Sequence, residues 1–182
     1  MSAKVSVREA KESDAPRIAQ VHVDSWRTAY TGVVPQDYLD NLSVEERERR
    51  WKRILRGDPE SYESRDCVAE SSEAGIVGFS SVGPVKTSER PGWELYAIYL
   101  LQSWQGSGLG RKLFAGALES ADSGIPVITW CISANPSRRF YEALGGESLK
   151  TQMIEIGGVS LEETCYGWQD AYELRNKLMA EC

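Results

Sequence analysis

The alternation of apolar and polar residues gives the first outline of the chain. Lys4–Ala10 (KVSVREA) alternates, as a half-buried strand does. From about Ala15 to Ala29 the period becomes helical. Ile18, Ala19, His22 and Trp26 fall along one side, and Tyr30 follows a turn later. Ser13 or Asp14 is placed to cap this helix, with Pro16 near its start. Thr31-Gly32-Val33-Val34-Pro35 breaks it, and a short piece, Gln36–Asn41, follows. Ser43-Val44-Glu45-Glu46 reads as a capping box for a helix to about Leu55, with Trp51, Ile54 and Leu55 inward and the charged EERERR face in solvent. Asp66–Ser71 and Gly75–Val82 read as strands joined at Ser72-Glu73-Ala74, and Gly83–Gly92 as a polar loop.

Trp93–Leu101 is an aromatic and aliphatic run without Gly or Pro, hence a strand. From about Gly108, Leu109, Leu113, Ala117 and Leu118 recur at helical spacing. Ile125–Ile132 is a β-branched run and reads as a buried strand. Ser137–Leu144 is a helix opened by Asn135-Pro136 and ended by Gly145-Gly146. Glu147–Ile156 and Val159–Trp168 flank Gly157-Gly158 as a hairpin, and the tail from Asp170 is a short helix. The elements describe a mixed α/β (α+β) sheet in a single domain, 1–182, with no internal repeat.

Between the Trp93–Leu101 strand and the next helix lies Gln105-Gly106-Ser107-Gly108-Leu109-Gly110. Glycines at every second position let the backbone turn sharply and approach a ligand closely. The helix start leaves N–H groups unpaired there, so the bend is an anion site, most naturally for phosphate. The dinucleotide pattern fails, because Arg111 stands where a third Gly is needed, and no Gly-Lys-Ser/Thr closes a triphosphate loop. A plain strand–helix turn is the alternative without a ligand.

Gln105, Gly108 and Gly110 fit Gln-x-x-Gly-x-Gly, which resembles the acyl-CoA-binding motif of the GNAT superfamily of N-acetyltransferases. Ser137-Arg138-Arg139-Phe140-Tyr141-Glu142 is similar to that family's second motif, and the element order agrees along nearly the whole chain. The resemblance implies a mostly antiparallel sheet of about seven strands flanked by about four helices. It implies acetyl-CoA as cosubstrate, held by Gln105, Gly106, Ser107, Gly108, Leu109, Gly110 and Arg111, by the backbone of Ile98, Tyr99, Leu100 and Leu101, and by Asn135 and Ser137. An N–H near Leu100 or Leu101 would polarise the acetyl carbonyl. Arg111 and Lys112 either add charge near the phosphates or form a solvated face.

Acetyl transfer to an amine needs a base, a donor for the developing oxyanion and an acid for the leaving thiolate. The resemblance points by position to Glu94, eleven residues before Gln105, as base; the alternative is an ordinary strand carboxylate. It points to Tyr141 as acid; the alternative is a tyrosine closing a helix contact. Trp26, Tyr30 and Tyr96 are candidates to bind the acceptor, and His22, Trp26 and Tyr30 could equally be core. Asn135 is displaced by one residue from its usual motif place, and Gly146 stands where Phe is common, which implies looser packing under the thiol end.

Composition narrows the rest. With 41% hydrophobic and 26% charged residues, the chain reads as a soluble globular protein. Its net charge of −6 argues against non-specific nucleic-acid binding and leans toward a cationic amine. No apolar run is long enough for a membrane helix, and MSAKVSVREAKESD lacks the apolar core of a secretory signal. Cys67, Cys131, Cys165 and Cys182 have neither metal nor disulfide spacing, so they read as reduced thiols of a cytoplasmic protein without a metal. The resemblance allows a homodimer. The expected function is direct acetyl transfer to a small-molecule, polyamine, or peptide or protein amine. A non-catalytic acyl-CoA sensor and a transferase of longer acyl chains are the alternatives.

Overall fold

The computed structural model describes residues 4–85 and 91–180. Seven strands form one sheet in the order β1-β2-β3-β4-β5-β7-β6. They are β1 (Val5–Glu9), β2 (Arg65–Ser71), β3 (Gly75–Pro84), β4 (Trp93–Leu100), β5 (Val127–Ile132), β6 (Glu147–Ile156) and β7 (Val159–Trp168). All neighbours are antiparallel except β4 and β5. Six α-helices accompany them: α1 (Ala15–Ala29), α2 (Gln36–Asp40), α3 (Val44–Leu55), α4 (Leu109–Ala117), α5 (Arg138–Ala143) and α6 (Ala171–Ala180). Of these only α2 was not expected, because Gln36–Asp40 closes into a short helix; the tail forms the short helix expected of it.

The two faces of the sheet bury separate cores. On one, Leu109, Leu113 and Phe114 of α4 and Leu174 and Leu178 of α6 pack on Val77, Leu95 and Val127. On the other, Ile18 and Val21 of α1 and Trp51 of α3 pack on Val68 and Phe79. Fully burying such a side chain stabilises by roughly 1.5–3 kcal/mol, so α1 and α4 are fixed on opposite faces of β4. Strand ends shift by one or two residues: β3 runs on through Pro84 and β5 begins at Val127 rather than Ile125. Of the expected loop, residues 86–90 lie outside the described part.

The expected cap of α1 is corrected. Asp14 makes no side-chain cap bond. Its carboxylate instead takes a forked pair from Arg8 at 2.7 and 3.0 Å and the Lys11 N–H at 2.8 Å, and the Arg8 guanidinium holds it below its ordinary pKa. Ser43 does cap α3, accepting from the Glu46 N–H at 3.2 Å.

What positions the site is a fault in the sheet. In the β3–β4 ladder Ser81 faces Ala97 and Val82 faces Leu95, so Tyr96 is an extra residue in a bulge. Bulges sharpen local twist. β4 and β5 then pair for only three residues, Trp93–Leu95 against Val127–Thr129, with the Thr129 hydroxyl on the Leu95 carbonyl at 3.0 Å. Beyond that point the strands part.

Candidate active site

The parting of β4 and β5 opens a cleft of about 270 Å³ under α1, walled by Tyr30, Tyr96, Tyr99, Thr129, Trp130 and Cys131 among others. A second cavity of about 430 Å³ runs beneath the glycine loop, lined by Gly106, Gly108, Gly110, Arg111 and Phe140. Ile98, Leu100, Gln105, Pro136, Ser137 and Tyr141 line both, so the two form one continuous groove.

The loop is built as an anion cradle. Gly106 and Gly108 adopt φ of 71° and 81°, the left-handed region that L side chains avoid. An ideal Cβ at either would meet nothing within 4 Å, so the space in front of them is open. Gly108 is the N-cap of α4 without a side-chain cap bond. Among the described residues, the N–H groups of Gly106, Ser107, Gly108, Leu109 and Gly110 have no acceptor. Such a row of outward N–H groups at the positive end of a helix fits a diphosphate. Gly110 serves differently from the expected bend: it lies in the first turn of α4, where an added Cβ would stand 3.2 Å from the Phe140 ring. The Gln105 side chain ties the loop back, donating to the Leu100 carbonyl at 3.1 Å.

Parity of the ladder decides which backbone groups face the gap. The Leu101 N–H bonds the Val77 carbonyl at 2.9 Å. Antiparallel alternation then turns Tyr99 toward β3 as well, and leaves Ile98 and Leu100 to direct their N–H and C=O toward the parted side. Of the two donors left open by the sequence, Leu100 is free to face a ligand and Leu101 is not. Leu101 and Leu109 turn their side chains into the core, and the Ser107 hydroxyl donates to the Trp104 carbonyl at 2.6 Å, so these three offer the groove no side chain.

Tyr141 is buried at the junction of the two cavities. Burial, then Cys131 and Tyr99, push its phenol well above the ordinary value. Burial likewise raises the pKa of Tyr30 and of Tyr99, and of Cys131 to about 11. At neutral pH these hydroxyls and the thiol are therefore protonated. Among the described residues, no charged side chain lines the cleft.

The remaining candidates are placed as follows. Glu94 is half-buried on β4, opposite Ile128 of β5, at the foot of the cleft and not among its walls. Tyr30 and Tyr96 are in the cleft wall, the Tyr96 hydroxyl donating to the Pro84 carbonyl and its ring meeting Tyr62 edge-on. Trp26 lies behind Tyr30, 4.6 Å between ring centroids, with the Arg47 guanidinium over its face. His22 is half-buried in an aromatic cluster outside the cleft wall: it stacks on Tyr99 and accepts from the Trp51 indole at 3.3 Å, and desolvation lowers its pKa to about 3. Asn135 is buried in the cleft wall, but its side-chain oxygen is taken by the Ser137 N–H at 2.9 Å.

Thr129, Trp130, Cys131 and Phe140 were not read as site residues. Trp130 carried a signal, since it alternates with the buried Thr129 and Cys131 and so faces the opposite side of β5. The packing below the thiol end is also not loose. A Cβ on Gly146 would stand 2.8 Å from the Trp168 indole, which already fills that place from β7.

A strand parted from its neighbour, and a glycine loop at a helix N-terminus beside the gap, define an acyl-CoA-dependent transferase. Comparison with known proteins agrees. The family model for the acetyltransferase (GNAT) domain matches residues 63–145. YuaI, an uncharacterized N-acetyltransferase of Bacillus subtilis (strain 168), is 43% identical over 179 residues, which span 96% of this chain and 98% of YuaI. A phosphinothricin acetyltransferase of the GNAT superfamily from Sinorhizobium meliloti, solved in complex with AcCoA, superposes with a TM-score of 0.65 at 20% identity, covering 92% of this chain and 88% of that one. The PaiA N-acetyltransferase of Thermoplasma acidophilum, in complex with coenzyme A, gives 0.60 at 14% identity over 88% and 98% of the two chains. The chain belongs to the GNAT superfamily of N-acetyltransferases. It is an enzyme that moves an acyl group from acetyl-CoA to an amine. No helix among the described residues is long and apolar enough to cross a membrane.

Proposed function

We propose that the transfer is direct, within a ternary complex, to a primary amine that enters the cleft from under α1. One observation carries this reading: Tyr141 stands in the wall of both the glycine-loop groove and the cleft, where a thioester and an amine would meet. The Gly106–Gly110 amides and Arg111 hold the coenzyme diphosphate. The Ile98 and Leu100 backbone pairs with its arm, and the Leu100 N–H faces the acetyl oxygen. A fixed donor of that kind lowers the barrier by roughly 3 kcal/mol. Tyr141, kept protonated by burial, gives its proton to the leaving sulfur.

Glu94 takes the amine proton through water, because it stands at the foot of the cleft rather than in its wall. The uncharged lining itself favours the neutral amine, since desolvation disfavours the ammonium form. It offers no partner to a second positive charge, so the acceptor presents one amine alone: a small molecule, or a peptide or protein amine, ahead of a polyamine. Cys131 lies in the wall, but a thiol with a pKa near 11 is almost wholly protonated at neutral pH and makes a poor nucleophile. The protein works in the cytoplasm, as a monomer or homodimer.

The test is thiol release over a panel of amines with the parent, Glu94→Gln and Tyr141→Phe. Each variant is expected to lose about 10²- to 10⁴-fold in kcat, with coenzyme A affinity retained. Coenzyme A binding without turnover on any amine would favour the sensor. Tighter binding of a longer acyl-CoA than of acetyl-CoA would favour the long-chain transferase.

A further inference from the structure

Helix α5 carries Tyr141 and is only six residues long, with no side-chain cap bond at its start. A helix this short does not hold its own geometry, so its direction comes from the groups that grip it. At its end, the Leu144 carbonyl accepts from the Trp168 indole N–H at 3.1 Å and from Lys177 of α6 at 3.3 Å. On its flank, the Tyr166 hydroxyl donates to Glu142 at 3.1 Å and its ring lies 5.8 Å from that of Tyr141. The Trp168 ring meets Tyr141 edge-on at 6.5 Å and Phe114 of α4 at 5.6 Å. It also abuts Gly146, where a Cβ would come within 2.8 Å of the indole and 3.0 Å of the Tyr141 carbonyl. One side chain from β7 thus touches the helix end, the turn after it and the tyrosine ring.

We propose that Trp168 is a positioning residue for acetyl transfer: by gripping the Leu144 carbonyl and filling the space beside Gly146, it fixes the Tyr141 hydroxyl at the junction of groove and cleft. The inference rests on Tyr141 being the acid. Trp168 lines neither cavity. Its effect therefore passes through the direction of α5. Proton transfer requires hydrogen-bond reach, and a misplacement of about 1 Å can cost up to ~100-fold.

Trp168→Phe keeps an aromatic ring and removes the N–H donor. It is expected to lower kcat by roughly ten-fold, with KM for acetyl-CoA within about two-fold of the parent. The decisive readout is a double-mutant cycle. In a Tyr141→Phe background there is no hydroxyl left to misplace, so Trp168→Phe should then change kcat by less than about two-fold. Gly146→Ala pushes the indole from the other side and is expected to show the same pattern, which serves if Trp168→Phe does not fold. Equal losses in both backgrounds, or a loss confined to KM, would overturn the inference and leave the acid assignment standing. An unchanged kcat in Tyr141→Phe alone would overturn the acid assignment and this inference with it.

Discussion

Gly108→Ala separates what the glycine loop does for folding from what it does for binding. The residue sits at φ 81°, and nothing lies within 4 Å of an added Cβ. The fold penalty is then the left-handed backbone alone, roughly 1–2 kcal/mol, less about 0.4–1 kcal/mol returned by the stiffer unfolded chain. A net cost near 1 kcal/mol lowers Tm by about 2–4 °C in a domain of this size. The binding penalty is separate, because the methyl projects into the open space before the Gly106–Gly110 amides. Losing one charge-assisted hydrogen bond to phosphate costs roughly 1.5–3 kcal/mol, a Kd weakened about 10- to 100-fold. Gly124→Ala is the control: φ is 80°, the Cβ is equally unobstructed, and the residue walls neither cavity. Calorimetric titration with coenzyme A at fixed ionic strength, beside thermal unfolding, reads both effects. Both variants should lose similar Tm and only Gly108→Ala should lose affinity. A Gly108→Ala protein that binds coenzyme A within about two-fold of the parent would refute the phosphate cradle.

Two further outcomes follow from closely packed groups. His22 is the chain's only histidine, and its folded pKa is about 3 against 6.5 when free. Its neutral form is the one the fold accepts, so its contribution is complete above pH 6.5 and is lost as pH falls from there toward 3. Between pH 7.5 and 5.5 that loss is roughly 1.4 kcal/mol, readable as a lower urea midpoint; His22→Gln should flatten the slope, and an unchanged slope in that variant contradicts the assignment. Gly146→Ala should destabilise by about 1–3 kcal/mol, because its Cβ meets an indole and a backbone carbonyl that cannot both retreat; a Tm equal to the parent's would show that they can.

Periodicity carried most of the architecture. α1, β6 and β7 end where the pattern changes, and Gly157-Gly158, at φ 61° and 78°, form the turn that their composition announces. α2 escaped because five residues hold too little repeat to show a period. Asp14 misled because a good capping residue met a stronger partner, Arg8, whose approach depends on the placement of β1. The glycine loop was legible as chemistry, since every glycine in it is local. The Tyr96 bulge was not, because Trp93–Leu100, Glu94 apart, carries apolar or aromatic residues on both faces and its alternation shows no slip. The choice between the Leu100 and Leu101 N–H follows from ladder parity, which only the register with β3 sets. Gly146 and Trp168 exchange volume across 22 positions of chain, and no local signature links them.

The bulge also explains why the sheet is left incomplete at its centre. An unpaired strand edge inside a sheet costs stability, and proteins ordinarily cover it. Here β5, β7 and β6 hang on β4 through three residue pairs and the Thr129 bond, while α4 and α6 bridge the break from behind. In the proposed binding mode the Ile98 and Leu100 edge pairs with an amide-bearing ligand, in the manner of a strand added to a sheet, while the Leu100 carbonyl also keeps its bond from Gln105. A coenzyme that fills it joins the two halves of the sheet as well as reaching Tyr141. Binding should then stabilise by RT ln(1 + [L]/Kd), and slowed amide exchange should appear on both sides of the break, in β4 and in β5. Protection confined to the glycine loop would mean that the gap is a passage for the ligand and not its pairing partner.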